Sequence, residues 1–231
     1  MTLIECRDLT KKYGSHTALS NINIQICRGH IIGLLGPNGS GKTTLIKLIT
    51  GLLSPSAGAV YVNEEPVGVK SKNLISYLPD HTYLDKHMRV RDVMDFFEDF
   101  YQDFDSMRAY DMLNKLDINP NHKLKTLSKG NQEKVQLILV MSRRASLYIL
   151  DEPIAGVDPA ARDYILNTIL SNYDENASIL ISTHLISDIE NILDEVIFIQ
   201  NGTIHTHASV DDLRLKDHKS IDTIFREVFK C

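Results

Sequence analysis

An α/β fold with a mixed central sheet, an antiparallel β region and an inserted helical region is predicted by three observations. Short, wholly apolar runs read as buried parallel strands, alternating runs near the N-terminus read as half-exposed antiparallel strands, and a long helical stretch rich in aromatics separates two of the apolar runs. Alternation in Leu3-Ile4-Glu5-Cys6-Arg7 and in Ile22-Asn23-Ile24-Gln25-Ile26 predicts two strands of an outer sheet, joined by Ala59-Val60-Tyr61-Val62 after Pro55 and Gly58. The apolar run Ile31 to Leu35 predicts a central strand, and Thr44 to Ile49 a helix. After the helical stretch, Leu147 to Leu150 and Ser178 to Ser182 read as parallel strands. Asn201-Gly202 between Glu195–Ile199 and Thr203–His205 is a two-residue hairpin signal. The expected division is a core over residues 1–82 and 146–207, a helical subdomain over about 83–145 and a helical tail over about 208–231. Its stripe Ile221, Ile224, Phe225, Val228 and Phe229 has the spacing of a helix docked on its own domain.

Between the central strand and its helix stand Gly36-Pro37-Asn38-Gly39-Ser40-Gly41-Lys42-Thr43, which fill the pattern G-x-x-x-x-G-K-[ST]. Glycines there let successive backbone N–H groups turn inward around phosphate oxygens, beside the positive end of the following helix. Lys42 is expected to reach the β- and γ-phosphates, and the Thr43 hydroxyl to ligate Mg²⁺. A second motif ends an apolar strand with adjacent carboxylates, Leu150-Asp151-Glu152-Pro153. Ligands of parallel sheets bind at that strand end, so Asp151 suits Mg²⁺ and Glu152 is free to polarise water for attack on a γ-phosphate.

Composition excludes other classes. The 231 residues suffice for a full core, and a net charge of −5 gives no electrostatic reason to expect a nucleic-acid partner. Cys6, Cys27 and Cys231 are scattered without metal-ligand spacing, which suits a reducing compartment. No apolar stretch approaches the ~18 residues of a membrane span, and the first residues lack the pattern of a signal peptide. Asn114-Lys115-Leu116-Asp117 spells a guanine-reading pattern, but it lies in a helical stretch before the acidic strand end and is read as helix.

Taken in order, these landmarks resemble the ATP-binding subunit of an ABC transporter over nearly the whole chain, which implies a P-loop NTPase fold of the ABC ATPase type. Tyr13 in Lys11-Lys12-Tyr13-Gly14 matches the aromatic that stacks on adenine, and Gly36 to Thr44 match the phosphate loop. Leu127-Ser128-Lys129-Gly130-Asn131 matches the family signature, Ala155-Gly156-Val157-Asp158 the loop along the dimer seam, and His184 the switch histidine. The resemblance implies ATP and Mg²⁺ as ligands and head-to-tail dimerisation, with a second ABC ATPase that is the same chain or a different one. The signature of one domain then caps the nucleotide of the other, Ser128 and the Gly130 N–H donating to the γ-phosphate. It also implies a separate transmembrane permease subunit, and hence a peripheral place on the cytoplasmic face of the membrane. The motifs Leu127–Asn131 and Tyr77–Asp80 are similar to those of exporters of peptides, the phenol-soluble modulin and antimicrobial exporters among them. Two departures stand out. Lys129 and Asn131 replace the usual glycine and glutamine of the signature, and Asp80 replaces the glutamine that touches Mg²⁺ and the attacking water, so altered coupling or slower turnover is expected. Aromatics from Phe96 to Phe104 are read as mostly core, with a part left for a permease helix, and Asp95, Glu98, Asp99, Asp103 and Asp105 as a solvated face. A soluble ABC ATPase without a membrane partner and a slowly hydrolysing regulatory module are the other readings.

Overall fold

The computed structural model describes residues 1–155, 159–174 and 176–229. Two sheets organise the chain. The outer one runs in the order β2 (His16–Cys27), β1 (Thr2–Tyr13), β4 (Ala57–Val62) and β5 (Glu65–Pro66), all antiparallel. The second has six strands in the order β10 (Thr203–Ser209), β9 (Glu195–Gln200), β3 (Ile31–Leu35), β8 (Ser178–Thr183), β7 (Leu147–Asp151) and β6 (Ile75–Leu78). All its neighbours are parallel except the β9–β10 hairpin.

The apolar runs are continuous because both faces of this sheet are covered. Ile32 and Leu34 of β3 and Leu147 and Ile149 of β7 join a core with the outer sheet and α1 (Lys42–Ile49). Ile31, Leu35, Tyr148 and Leu150 point the other way, into a core shared with the helices. Each such Leu or Ile, fully buried, contributes about 1.5–3 kcal/mol relative to exposure. On that side lie α3 (Val90–Phe100), α4 (Ser106–Lys115) and α5 (Lys129–Met141), with α6 (Pro159–Asn172) and α7 (Ile186–Ile189) after β7 and β8. The tail forms α8 (Val210–Asp217) and α9 (Ile221–Phe229), and Phe225 packs edge-on and Phe229 tilted against Phe198 of β9, so the C-terminal stripe docks on its own domain.

Several expectations are revised. Strands β1 and β2 run to 12 residues each, well past their alternating segments. Their register shifts between Cys6 and Leu9, beside Asp8 at φ 49°, and such a bulge breaks the two-residue period. Helix α2 (Val69–Leu74) and strand β6 carry no clear periodicity and were not anticipated, yet β6 forms an edge of the main sheet and leads to Asp80. The aromatic stripe divides: Phe97 is buried, whereas Phe96 and Phe100 are 56% and 67% exposed and stacked 6.0 Å apart. Asp103 and Asp105 are not merely solvated. Asp103 takes two hydrogen bonds of 3.0 Å from buried Arg143, and Asp105 caps α4 through the Arg108 N–H while pairing with Arg144 at 2.9 Å.

Candidate functional site

The C-terminal ends of β3, β7 and β8 meet at one point, and the phosphate loop leaves β3 there. Gly36 tolerates no side chain, because a Cβ would stand 2.3 Å from the Ile199 carbonyl oxygen. Gly41 precedes α1 at φ 112°, a conformation open to glycine and strained for other residues. The β9–β10 hairpin braces the loop from behind. With Asn201 and Gly202 both at positive φ, as a type I′ turn demands, the Gly202 N–H donates to the Ser40 carbonyl at 2.9 Å and the Gly202 carbonyl accepts from the Ser20 N–H at 2.8 Å.

A cleft of about 350 Å³ opens in front of the loop, lined by Tyr13, His16, Ala18, Asn38, Gly39, Gly41, Lys42, Thr43, Thr44, Asp80 and Glu152. Tyr13 is half-exposed at the end of β1, with the Lys11 ammonium 5.3 Å from its ring centre. The Lys42 ammonium, almost wholly buried, donates to the carbonyls of Gly36 at 2.7 Å and Pro37 at 3.3 Å and lies 4.0 Å from Glu152 Oε1. Burial lowers its pKa below the ordinary lysine value, with Glu152 and Asp151 acting the other way. Glu152 stands at φ 52°, a left-handed conformation rare outside glycine, held by hydrogen bonds from its N–H to the Ser182 carbonyl at 3.0 Å and Ser182 Oγ at 3.1 Å. Its Oε2 faces His184 Nδ1 at 3.0 Å. Asp80 is exposed at the cleft edge and bonded to His81 Nδ1 at 2.5 Å.

Asp151 lies beneath the cleft with no exposure to solvent. One oxygen accepts from Ser182 Oγ, and Oδ2 is buried without a hydrogen bond. Burial holds its pKa above the usual 3.8; the Ser182 and Thr43 hydroxyls oppose this, and the carboxylates of Asp80 and Glu152 add to it. An orphaned anionic oxygen beside a threonine hydroxyl is an oxygen-only donor set of the kind a hard divalent cation prefers, so Asp151, Thr43 and Asp80 fit Mg²⁺. Ser40 Oγ, also buried and unpartnered, is a further donor in the loop.

Ser182 is the residue the motifs missed. It pairs with Asp151 in the β7–β8 register and holds both acids in place. A polar pair, Ser182-Thr183, ending an apolar strand was its only sequence signal. The structure brings together Tyr13, the phosphate loop, Asp80, Asp151, Glu152 and His184. Ser128, Lys129, Gly130 and Asn131 do not line this cleft; they open α5, three of them exposed. Ser128 Oγ caps the helix by accepting from the Asn131 N–H at 3.2 Å, and the Lys129 side chain points outward toward Glu133 at 3.6 Å. A Cβ on Gly130 would meet nothing within 4 Å. Asp158, with Gly156 and Val157, lies outside the described residues.

Comparison with known proteins completes the description. A family model described as ABC transporter matches residues 19–155, more than half of the chain. An uncharacterized ABC transporter ATP-binding protein of Methanocaldococcus jannaschii, MJ1023, is 33% identical over 91% of this chain and 79% of its own length. The SkfA peptide export ATP-binding protein SkfE of Bacillus subtilis is 30% identical over 88% of each chain. Among solved structures, that of an ATP binding subunit of an ABC transporter superposes with a TM-score of 0.89 at 27% identity, covering 99% of this chain and all of that one.

Proposed function

The chain belongs to the ABC transporter ATP-binding family, and from that premise we propose that it hydrolyses ATP to drive export of a peptide substrate through a separate transmembrane subunit. The observation that carries the proposal is a division of labour: one cleft gathers Tyr13, the phosphate loop, Asp80 and Glu152, while Ser128 to Asn131 sit on an exposed helix start outside it. Gly130 has no steric reason within its own chain to be glycine, which suits close approach by a second molecule. Two copies, or this chain and a related one, close over shared nucleotides, and loss of the γ-phosphate removes the contacts that favour the closed state.

In this reading Tyr13 stacks on the base, and the N–H groups of the loop with Lys42 grip the phosphates. The Lys42 ammonium moves from the Gly36 and Pro37 carbonyls to phosphate oxygens, where its charge opposes that developing in the transition state. Glu152 orients and polarises the attacking water, and His184, bonded to its far oxygen, fixes its direction. Thr43, Asp151 and Asp80 hold Mg²⁺, which when bound neutralises phosphate charge.

No helix among the described residues is long and apolar enough to cross a membrane. A cleft of about 650 Å³ beside α3, lined by Tyr83, Phe96, Phe97, Phe100 and Tyr101 among others, supports docking of a permease segment at the cytoplasmic face of the membrane. Peptide as the cargo rests on the similarity to SkfE. The test is Glu152→Gln in purified protein. Steady turnover is expected to fall by about 10²–10⁴-fold while Mg-ATP binding persists and a dimer accumulates by sedimentation. Binding without association, both alone and with the permease present, overturns the proposal. Wild-type turnover too slow to measure would favour the regulatory reading motivated by Asp80 and Lys129.

A further inference from the structure

We propose that a second cleft, at the end of the main sheet where β7 and β8 begin and opposite the nucleotide cleft, is a binding site for a phosphate group. The cleft measures about 360 Å³ and sits where β7 and β8 begin, so that Asp151 and Ser182 lie at the far ends of the same strands. Three arginines converge there from separate parts of the chain: Arg28 follows β2, Arg108 lies in the first turn of α4, and Arg144 precedes β7. On a chain of net charge −5 this is a local reversal of sign.

Among the described residues, two of the three arginines have only neutral partners. Arg144 pairs with Asp105 at 2.9 Å. Arg28 Nη2 donates to Asn63 Oδ1 at 2.8 Å, and its Nε is buried without a hydrogen bond. Arg108 donates from Nε to Asn172 Oδ1 at 3.1 Å and from Nη2 to the Asn172 carbonyl. Both sets of acceptors are neutral amides, and among the described residues neither Arg28 nor Arg108 forms an ion pair with a carboxylate. Within the lining, Asp174 accepts from the Asn176 N–H at 2.8 Å and Nδ2 at 3.0 Å, bonds that hold its carboxyl below the usual range; with Asp105 on Arg144, two described carboxylates stand against the three guanidinium groups.

Part-buried guanidinium groups ordinarily take carboxylate partners. Two that have none, in one concavity, offer planar donor forks matched to an oxyanion carrying two charges. The site is independent of the phosphate loop and of turnover, and its ligand is a phosphate group, free or borne on a larger molecule.

Calorimetric titration of the full chain with inorganic phosphate, in a Lys42→Ala background that disables the phosphate loop, tests it. Binding is expected to survive Lys42→Ala and to weaken about tenfold or more in Lys42→Ala/Arg28→Gln, with Arg28→Lys restoring part of it and with ATP turnover of Arg28→Gln alone unchanged. Binding that vanishes with Lys42→Ala, or that ignores both Arg28→Gln and Arg108→Gln, overturns the site. Should either variant misfold, protection of Arg28 against phenylglyoxal by phosphate in the Lys42→Ala protein replaces it, and absence of protection is equally fatal. Sedimentation with vesicles containing phosphatidic acid, whose phosphomonoester can carry two charges, separates the sources: Arg28-dependent pelleting supports a lipid headgroup, and phosphate binding without pelleting supports a free phosphate compound.

Discussion

Asp151→Asn tests whether the acidic strand end is held in a destabilised form until a cation neutralises it. The carboxylate is fully buried, takes one hydrogen bond from Ser182, and leaves Oδ2 without a partner while Asp80 and Glu152 stand near enough to repel it. An unsatisfied buried polar group costs about 1–3 kcal/mol, and an anion more. The amide keeps the oxygen that accepts from Ser182 and removes the charge. In the absence of divalent cation the variant is therefore expected to be about 1–3 kcal/mol more stable than wild type. For a chain of this length each kcal/mol moves the midpoint by roughly 2–4 °C, so thermal unfolding followed by circular dichroism in EDTA should show a rise of roughly 2–10 °C. Adding Mg²⁺ with ATP should raise the wild-type midpoint by more than it raises the variant's, and the variant's ATP turnover should be lost. A variant that melts at or below the wild-type temperature in EDTA, or gains as much from Mg²⁺, refutes the assignment of Asp151 as a strained cation ligand.

Three further outcomes are expected. Gly130→Ala meets open space and should leave folding stability unchanged or raised by up to ~1 kcal/mol, while steady-state ATP turnover falls at least tenfold; equal turnover would remove the argument for close approach by a second molecule. Arg143→Ala breaks the two hydrogen bonds to Asp103, the links to the Ile75 and Asn73 carbonyls and the stacking 3.9 Å above Tyr101, so denaturant unfolding should show a loss of about 3 kcal/mol. Asp105→Ala removes the α4 cap at a cost of about 1 kcal/mol at neutral pH. The Arg108 N–H and then the Arg144 side chain hold the Asp105 carboxyl below its usual 3.8, so its contribution is present above that value and is lost as pH falls through the lowered one. The gap between wild type and variant, measured by urea unfolding from pH 7 to pH 3, should close in acid.

Much of the site was legible in order and spacing, because a loop that wraps phosphates needs glycines and a lysine at fixed offsets, and an acidic pair can act only where a parallel strand ends. The apolar runs of β3, β7, β8 and β9 announced themselves for a related reason: a strand covered on both faces has no room for polar residues. The hairpin at Asn201-Gly202 was equally plain, since both residues must take positive φ. Local sequence was silent where long-range pairing decided the outcome. Strand β6 is four residues that become an edge of the sheet only by hydrogen bonding to β7, and the bulge at Asp8 hid half of β1 from any periodic pattern. Whether Phe96 and Phe100 would be core or surface depended on which face of α3 packed against α4 and α5.

The role of Ser182 belongs to the same class. Its value lies in facing Asp151 across two strands separated by 31 residues, a relation no single-chain spacing encodes. Motifs thus announced which groups gather around the cleft, since each such group answers to its immediate neighbours along the chain. Which acid is left short of a partner, which arginines find only neutral amides, and which side of the signature helix stays open were settled by packing, because burial and hydrogen-bond satisfaction exist only between segments brought together by folding.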